Sequence, residues 1–185
     1  MTRFGHACLL LFGLATAGAT AQPWPSKPVR VVMPFGPGSA SDVIARVVTE
    51  ELKNSFGQAF PIDYKPGASA QIGAELVARA PADGYTLFVG TNTSHSANPH
   101  LFRKLNYDPV KDFAPVSFMI SFTSVLVVEP RVPAKSVAEL MAWTKANPDK
   151  ATYAWGNTLS RLAAAWLFRM AGQPSLGVPY KSHPQ

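Results

Sequence analysis

Three short segments carry the residue types that hold an anion without a cation. They are Pro34-Phe-Gly-Pro-Gly-Ser-Ala-Ser-Asp42, Pro66-Gly-Ala-Ser-Ala-Gln71 and Trp155-Gly-Asn-Thr158, each just ahead of a run with helical periodicity. The first turn of a helix offers unpaired N–H groups and a partial positive charge, and glycine lets backbone come close to a bound group. In the first segment Gly36 and Gly38 flank Pro37, Ser39 and Ser41 add hydroxyls, and Asp42 offers a further helix cap. The second presents Gly67, Ala68 and Ser69, and the third Trp155, Gly156, Asn157 and Thr158. No Lys or Arg stands at any of the three tips. An anion there is held by neutral dipoles and hydroxyls, partly through water, and such a site favours a carboxylate. Taken singly, each segment fits the commoner role of these residues better, which is to cap a helix start.

Catalytic sets are harder to assemble. Gly36-x-Gly38-x-x-Ser41, with Asp63 about 20 residues further on, imitates a dinucleotide fingerprint, but the third glycine is missing and Pro37 stiffens the turn. His95, His100 and His183 are not spaced with carboxylates in any metal-binding pattern, so no metal and no cofactor are expected. Gly67-Ala-Ser69-Ala-Gln71 resembles a nucleophile elbow whose last glycine is replaced. An exported hydrolase using Ser69 or Ser39 is therefore the competing enzymatic reading, against the preferred reading of a binding protein that is not an enzyme. Trp155 sits at a strand end where it can line a pocket or pack.

The N-terminus reads Met1-Thr-Arg3, an apolar run from Ala7 to Ala15, and Ala19-Thr-Ala21 before Gln22. This is the pattern of a secretory signal peptide cleaved after Ala21, and its apolar run is shorter than the ~20 residues a membrane helix needs. Cys8, the only cysteine, lies inside it, so the exported chain has no disulfide and depends on its core. The formal charge is +6, from 17 Lys and Arg against 11 Asp and Glu, and these residues are scattered singly. Nucleic-acid binding is not supported, because it needs a basic patch with stacking aromatics.

Short β-branched runs alternate with helical patterns. Val29–Met33 reads as a buried strand, followed by a helix with Ile44, Val47, Val48 and Leu52 on one face and Gly57 at its end. Phe60–Tyr64 is the next strand, Ile72–Ala80 a helix and Thr86–Gly90 a third strand. Two apolar runs within Phe113–Val128 suit a crossing to a second domain. A capping box at Ser136 and Glu139 opens a helix to about Ala146, and a strand follows at Ala151–Ala154. A helix from about Leu159 to Ala171, with Leu162 and Leu167 as core positions, then leads to a strand near Leu176–Tyr180. This alternation predicts an α/β fold with largely parallel sheets.

Several segments together resemble the Bug receptors of tripartite tricarboxylate transporters: Ser26-Lys-Pro-Val-Arg30 with Pro34-Phe35, Lys65-Pro-Gly-Ala68, Ile72-Gly-Ala-Glu75, Ala78-Arg-Ala-Pro-Ala-Asp-Gly-Tyr-Thr-Leu87, Tyr107-Asp-Pro-Val-Lys-Asp-Phe-Ala-Pro-Val116, Val132-Pro-Ala-Lys-Ser-Val-Ala-Glu-Leu140 and Val178-Pro-Tyr-Lys181. The resemblance implies a periplasmic-binding-protein-like fold of type II, with two α/β domains around a ligand cleft. It implies a first domain within residues 22–120 and a second within 121–185, after the signal peptide at 1–21. The implied ligand is a small carboxylate or related metabolite. The loops Gly36–Asp42 and Gly67–Ser69 would hold one end, Thr91, Asn92, Thr93 and Ser94 would line the cleft, and Trp155–Thr158 would bind the other end. The implied partners are membrane transporter subunits, with the receptor a periplasmic monomer.

The chain departs from the pattern at Gly36, where relatives carry proline, at Ser39, where they carry glycine, at Tyr64-Lys65 in place of Asn-Arg, and at Ala70-Gln71 in place of a glycine-richer loop. Family chains also continue well past Val178-Pro-Tyr-Lys181, so the second domain and the return to the first are expected to be incomplete here. A truncated remnant without function is the corresponding alternative.

Overall fold

In a computed structural model, the described residues are 23–173 and 175–180. The signal-peptide reading, Lys181 and His183 fall outside them.

The first sheet has the strand order β2-β1-β3, all parallel. Strand β1, Arg30–Met33, is central, with β2, Ile62–Tyr64, on one side and β3, Thr86–Phe88, on the other. Val31, Val32 and Met33 are all buried. A central parallel strand is covered on both faces, which is why its sequence is a continuous apolar run and not an alternation. Parallel neighbours need long crossovers, and helices supply them. Helix α1 spans Ala40–Phe56 and ends on Gly57, whose φ of 67° is the left-handed conformation glycine adopts without cost. The core joins Val29, Val31, Met33, Ala45, Phe60 and Val89, with Leu52, Ile62 and Leu87 packed against it. Val47, expected on the buried face of α1, is 61% exposed. The face that meets the sheet is centred on Ala45, and two residues along a helix is about 200° around it.

Helix α2, Gln71–Ala78, packs tightly through Gly73, where an added Cβ would lie 3.3 Å from both the Phe88 ring and the Pro34 side chain. Beyond β3 the chain forms a wide turn of π type, Thr93–Ala97, that runs into α3, Asn98–Leu101. Sequence patterning assigns no element to this polar stretch. Ser, Thr and Asn there suggest turns, yet Pro99 in the first turn of α3 is compatible with helix because no N–H is required at that point.

Residues 114–128 form no strand, and Val116, Phe118, Val125 and Val127 are exposed. Past them, α4, Val137–Ala146, leads to β4, Thr152–Trp155, then α5, Thr158–Met170, and β5, Leu176–Pro179. Strands β4 and β5 pair in parallel as a second sheet, with Trp155 opposite Pro179. The expected cap of α4 is present: Ser136 Oγ accepts from Glu139 N at 3.2 Å, while Glu139 Oε2 accepts from Lys135 N at 2.7 Å. In α5, Phe168 is buried and stacks on Tyr153 at 5.8 Å, whereas Leu162, expected in the core, is exposed. Among the described residues no helix is long and apolar enough to cross a membrane.

Candidate functional site

Because β1, β2 and β3 are parallel, the loops that follow them leave from one edge of the sheet. That carboxyl edge is where open α/β sheets take ligands. The loops are 34–39, 65–70 and 89–92, and the Ser69 turn packs against the Thr93–Ala97 turn. Helix α5 of the second sheet also packs on Thr93–Ala97. The structure thus brings the Ser69 turn against the Thr93–Ala97 turn, sets α5, which starts at Thr158, against that same turn, and lets Gly36–Asp42 leave the same edge of the first sheet.

In the first loop, Gly38 has a φ of 82° and donates its N–H to Asp42 Oδ2 at 2.8 Å. Ser39 Oγ caps α1 by accepting from Asp42 N at 3.2 Å. Asp42 is buried, and its carboxylate also accepts from Tyr64 OH at 2.6 Å and from Arg46 Nε at 3.0 Å. Burial alone would raise the Asp42 pKa, but the hydrogen bonds from Tyr64, Gly38 and Arg46 outweigh it and hold the group below the ordinary carboxylate range. The carboxylate therefore closes the loop, and Tyr64 is part of that closure. Gly36 and Pro37 stand at the tip, with open space where a Gly36 Cβ would lie. Ser41 is half-buried in the first turn of α1. Asp63, the acid of the dinucleotide imitation, is ion-paired with Arg30 and with Lys65 at 3.0 Å, so its carboxylate is engaged by protein cations.

The second loop is the strained one. After Gly67 at φ 123°, the residues Ala68, Ser69 and Ala70 take φ values of 46°, 53° and 68°. Three successive side-chain-bearing residues in the left-handed region cost about 1–2 kcal/mol each. Such a run turns consecutive N–H groups toward one concave face, a shape that receives anions. Asn98, buried under this loop, donates from Nδ2 to Ser69 O at 2.8 Å. It also meets Tyr107 OH at 3.2 Å, which in turn donates to Ser94 O at 2.7 Å.

In the third loop Ser94 is fully buried. Its Oγ accepts from Thr91 N at 3.1 Å, donates to Thr91 O at 3.1 Å and lies 2.9 Å from His95 Nδ1. Thr93 is also buried, its Oγ1 without a hydrogen-bond partner, while Asn92 is exposed. His95 packs against Phe88 and Phe113, at 5.8 and 4.8 Å, and burial lowers its pKa, so the ring is neutral near pH 7. An added Cβ at Gly90 would approach the His95 ring to 3.0 Å. Among the described residues the one Ser–His contact is thus an interior one, and no histidine hydrogen-bonds Ser39 or Ser69.

In the Trp155–Thr158 segment Asn157 Oδ1 accepts from Ser160 N at 2.9 Å and completes a capping box for α5. Thr158 is buried, Gly156 and Trp155 are half-buried, and the Arg161 guanidinium lies 5.2 Å over the Trp155 ring. Trp155 O accepts from Tyr180 N at 2.8 Å and so ties this segment to β5. Among the described residues no group of three or more His, Cys, Asp or Glu is placed to hold a metal ion.

Two parallel sheets, with the loops after β1, β2 and β3 leaving one edge of the first, fit a periplasmic-binding-protein type of architecture, and comparison with known proteins agrees. Residues 44–185 match the model of the tripartite tricarboxylate transporter family receptors, and the chain belongs to that family. A UPF0065 protein of Bordetella bronchiseptica is 35% identical over 175 residues, which is 95% of this chain and 52% of the relative. The solved structure of Rpa4515 from Rhodopseudomonas palustris with adipate superposes at a TM-score of 0.81 with 35% identity, over 86% of this chain and 54% of that one. MatC from Rhodopseudomonas palustris with bound malate gives 0.78 and 32%, over 85% of this chain and 54% of that one. The chain spans about half the length of the curated relatives it matches. The matched family is one of transporter receptors, and these two solved neighbours carry adipate and malate.

Asn98 and Tyr107 are the residues that sequence reasoning misses. The one signal for Tyr107 is its place in the family segment Tyr107-Asp-Pro, while Asn98 before Pro99 reads as an ordinary turn residue.

Proposed function

We propose that this chain is the N-terminal part of a periplasmic solute receptor that captures a small carboxylate and passes it to the membrane subunits of a tripartite transporter. It is exported by a signal peptide cleaved after Ala21 and works as a monomer, with a first domain in residues 22–120 and a second in 121–185. Backbone and hydroxyl groups of Gly36–Ser41 and Gly67–Ser69 take one carboxylate, Thr91–Ser94 line the cleft, and Trp155–Thr158 take the far end, partly through water. Asp42 shapes its loop from behind. The observation that carries this reading is the left-handed Ala68–Ala70 turn at the carboxyl edge of the sheet, in a fold shared with receptors solved with adipate and with malate. Backbone strain of this kind persists where the surroundings over-determine it, and ligand clamps are a common place for it. Isothermal titration of the full gene product with adipate, malate and citrate tests the proposal. Saturable heat with at least one of them is expected, and no heat with any of the three removes the claim.

A further inference from the structure

We infer that Asn98 is a positioning residue for the carboxylate site: its side-chain amide holds the Ser69 turn in the left-handed conformation that receives the ligand. The inference rests on the receptor reading and adds to it a residue outside the loops already assigned.

Ala68, Ser69 and Ala70 do not hold positive φ by preference, because each carries a Cβ that disfavours it. Something else must keep the turn in place. The Asn98 amide is fully buried, donates from Nδ2 to Ser69 O at 2.8 Å, and is contacted by Tyr107 OH at 3.2 Å. Tyr107, itself buried, is anchored by its bond to Ser94 O at 2.7 Å. One amide group therefore links the second loop to the third, through residues 29 positions apart in the chain. Asn98 Oδ1 and Thr93 Oγ1 are buried without partners. Buried polar atoms are normally satisfied, so each of these two atoms is open to a further polar group, such as a ligand or its water. Asparagine suits the position because it offers a donor to the turn and keeps an acceptor for that group.

Asn98→Leu removes the donor without adding charge and keeps the branched shape of the side chain. The expected results are loss of the positive-φ signature in the Cα and Cβ chemical shifts of Ala68, Ser69 and Ala70, and about tenfold weaker binding of adipate or malate, the worth of one hydrogen bond. Adding Ala70→Gly, which removes the penalty for positive φ at one position, should recover most of that affinity. A merely structural role would not give rescue by a glycine outside the contact. Tyr107→Phe, which removes only the hydroxyl, is the second variant if Asn98→Leu does not fold, and it should move the same shifts in the same direction. Retention of the left-handed shifts in whichever variant folds overturns the inference, whatever happens to binding. If the unmodified protein binds no carboxylate while the variants still lose those shifts, the turn-holding role stands and the receptor reading falls.

Discussion

The two sheets of this chain are built from the same strand-loop-helix unit, yet they bury very different amounts of it. In β1 three of four residues are inaccessible, and α1 and α2 supply the crossovers that a parallel strand requires. In β4 and β5 no residue is buried, and Leu176 is 70% exposed. Backbone pairing is equally regular in both. Regular hydrogen bonding therefore does not measure packing, and since apolar burial supplies most of the net stabilisation, the first sheet is the stable half of the described residues. The proposed site spans both halves, since the Ser69 turn belongs to the first sheet and Trp155–Thr158 to the second.

The comparison can be broken most directly by truncating one side chain in each sheet. Met33→Ala should cost about 3 kcal/mol in urea denaturation, within the range for buried large-to-alanine changes, whereas Leu176→Ala should cost less than about 0.5 kcal/mol. Equal losses would show that the second sheet is packed as well as the first. Next in size, Asp42→Ala should cost about 2–3 kcal/mol, because Gly38 N–H, Tyr64 OH and the Arg46 guanidinium lose their common buried acceptor.

Acid should act through the same half. Burial raises the pKa of both Asp42 and Asp63, and the hydrogen bonds from Tyr64, Gly38 and Arg46 on one, and from Arg30 and Lys65 on the other, bring both below the ordinary value of 3.8. A depressed folded-state value stabilises fully above the unfolded value and is lost as pH falls through the folded one. Melting temperature should therefore drop as pH is lowered from about 5 toward about 2, and the Asp42→Ala protein should show a shallower drop. Smaller still is the contrast of caps. Ser39→Ala should cost about 1 kcal/mol globally, while Ser136→Ala should cost a similar amount only locally, read as faster amide exchange in α4 with the main transition unmoved. A shift of the main transition by Ser136→Ala would mean that the two halves unfold together.

Local patterns in the chain itself were sufficient for most elements. The Val29–Met33 run, Ser39 and Gly57 at the ends of α1, and the Ser136 and Glu139 pair at the start of α4 all lie where short-range chemistry puts them, because caps and strand runs depend on neighbours a few residues apart. The cation-poor helix starts were legible for the same reason, and the ordered family segments carried the resemblance. What tertiary structure alone decided is how those residues are used. Asp42 turns inward because Tyr64 and Arg46 reach it, and α1 buries Ala45 while leaving Val47 in solvent because the sheet lies on one side. The left-handed run at Ala68–Ala70 is not a local preference of Ala or Ser. It exists because Asn98, far along the chain, presents a buried amide to Ser69 O, and a contact of that kind has no period or spacing to read.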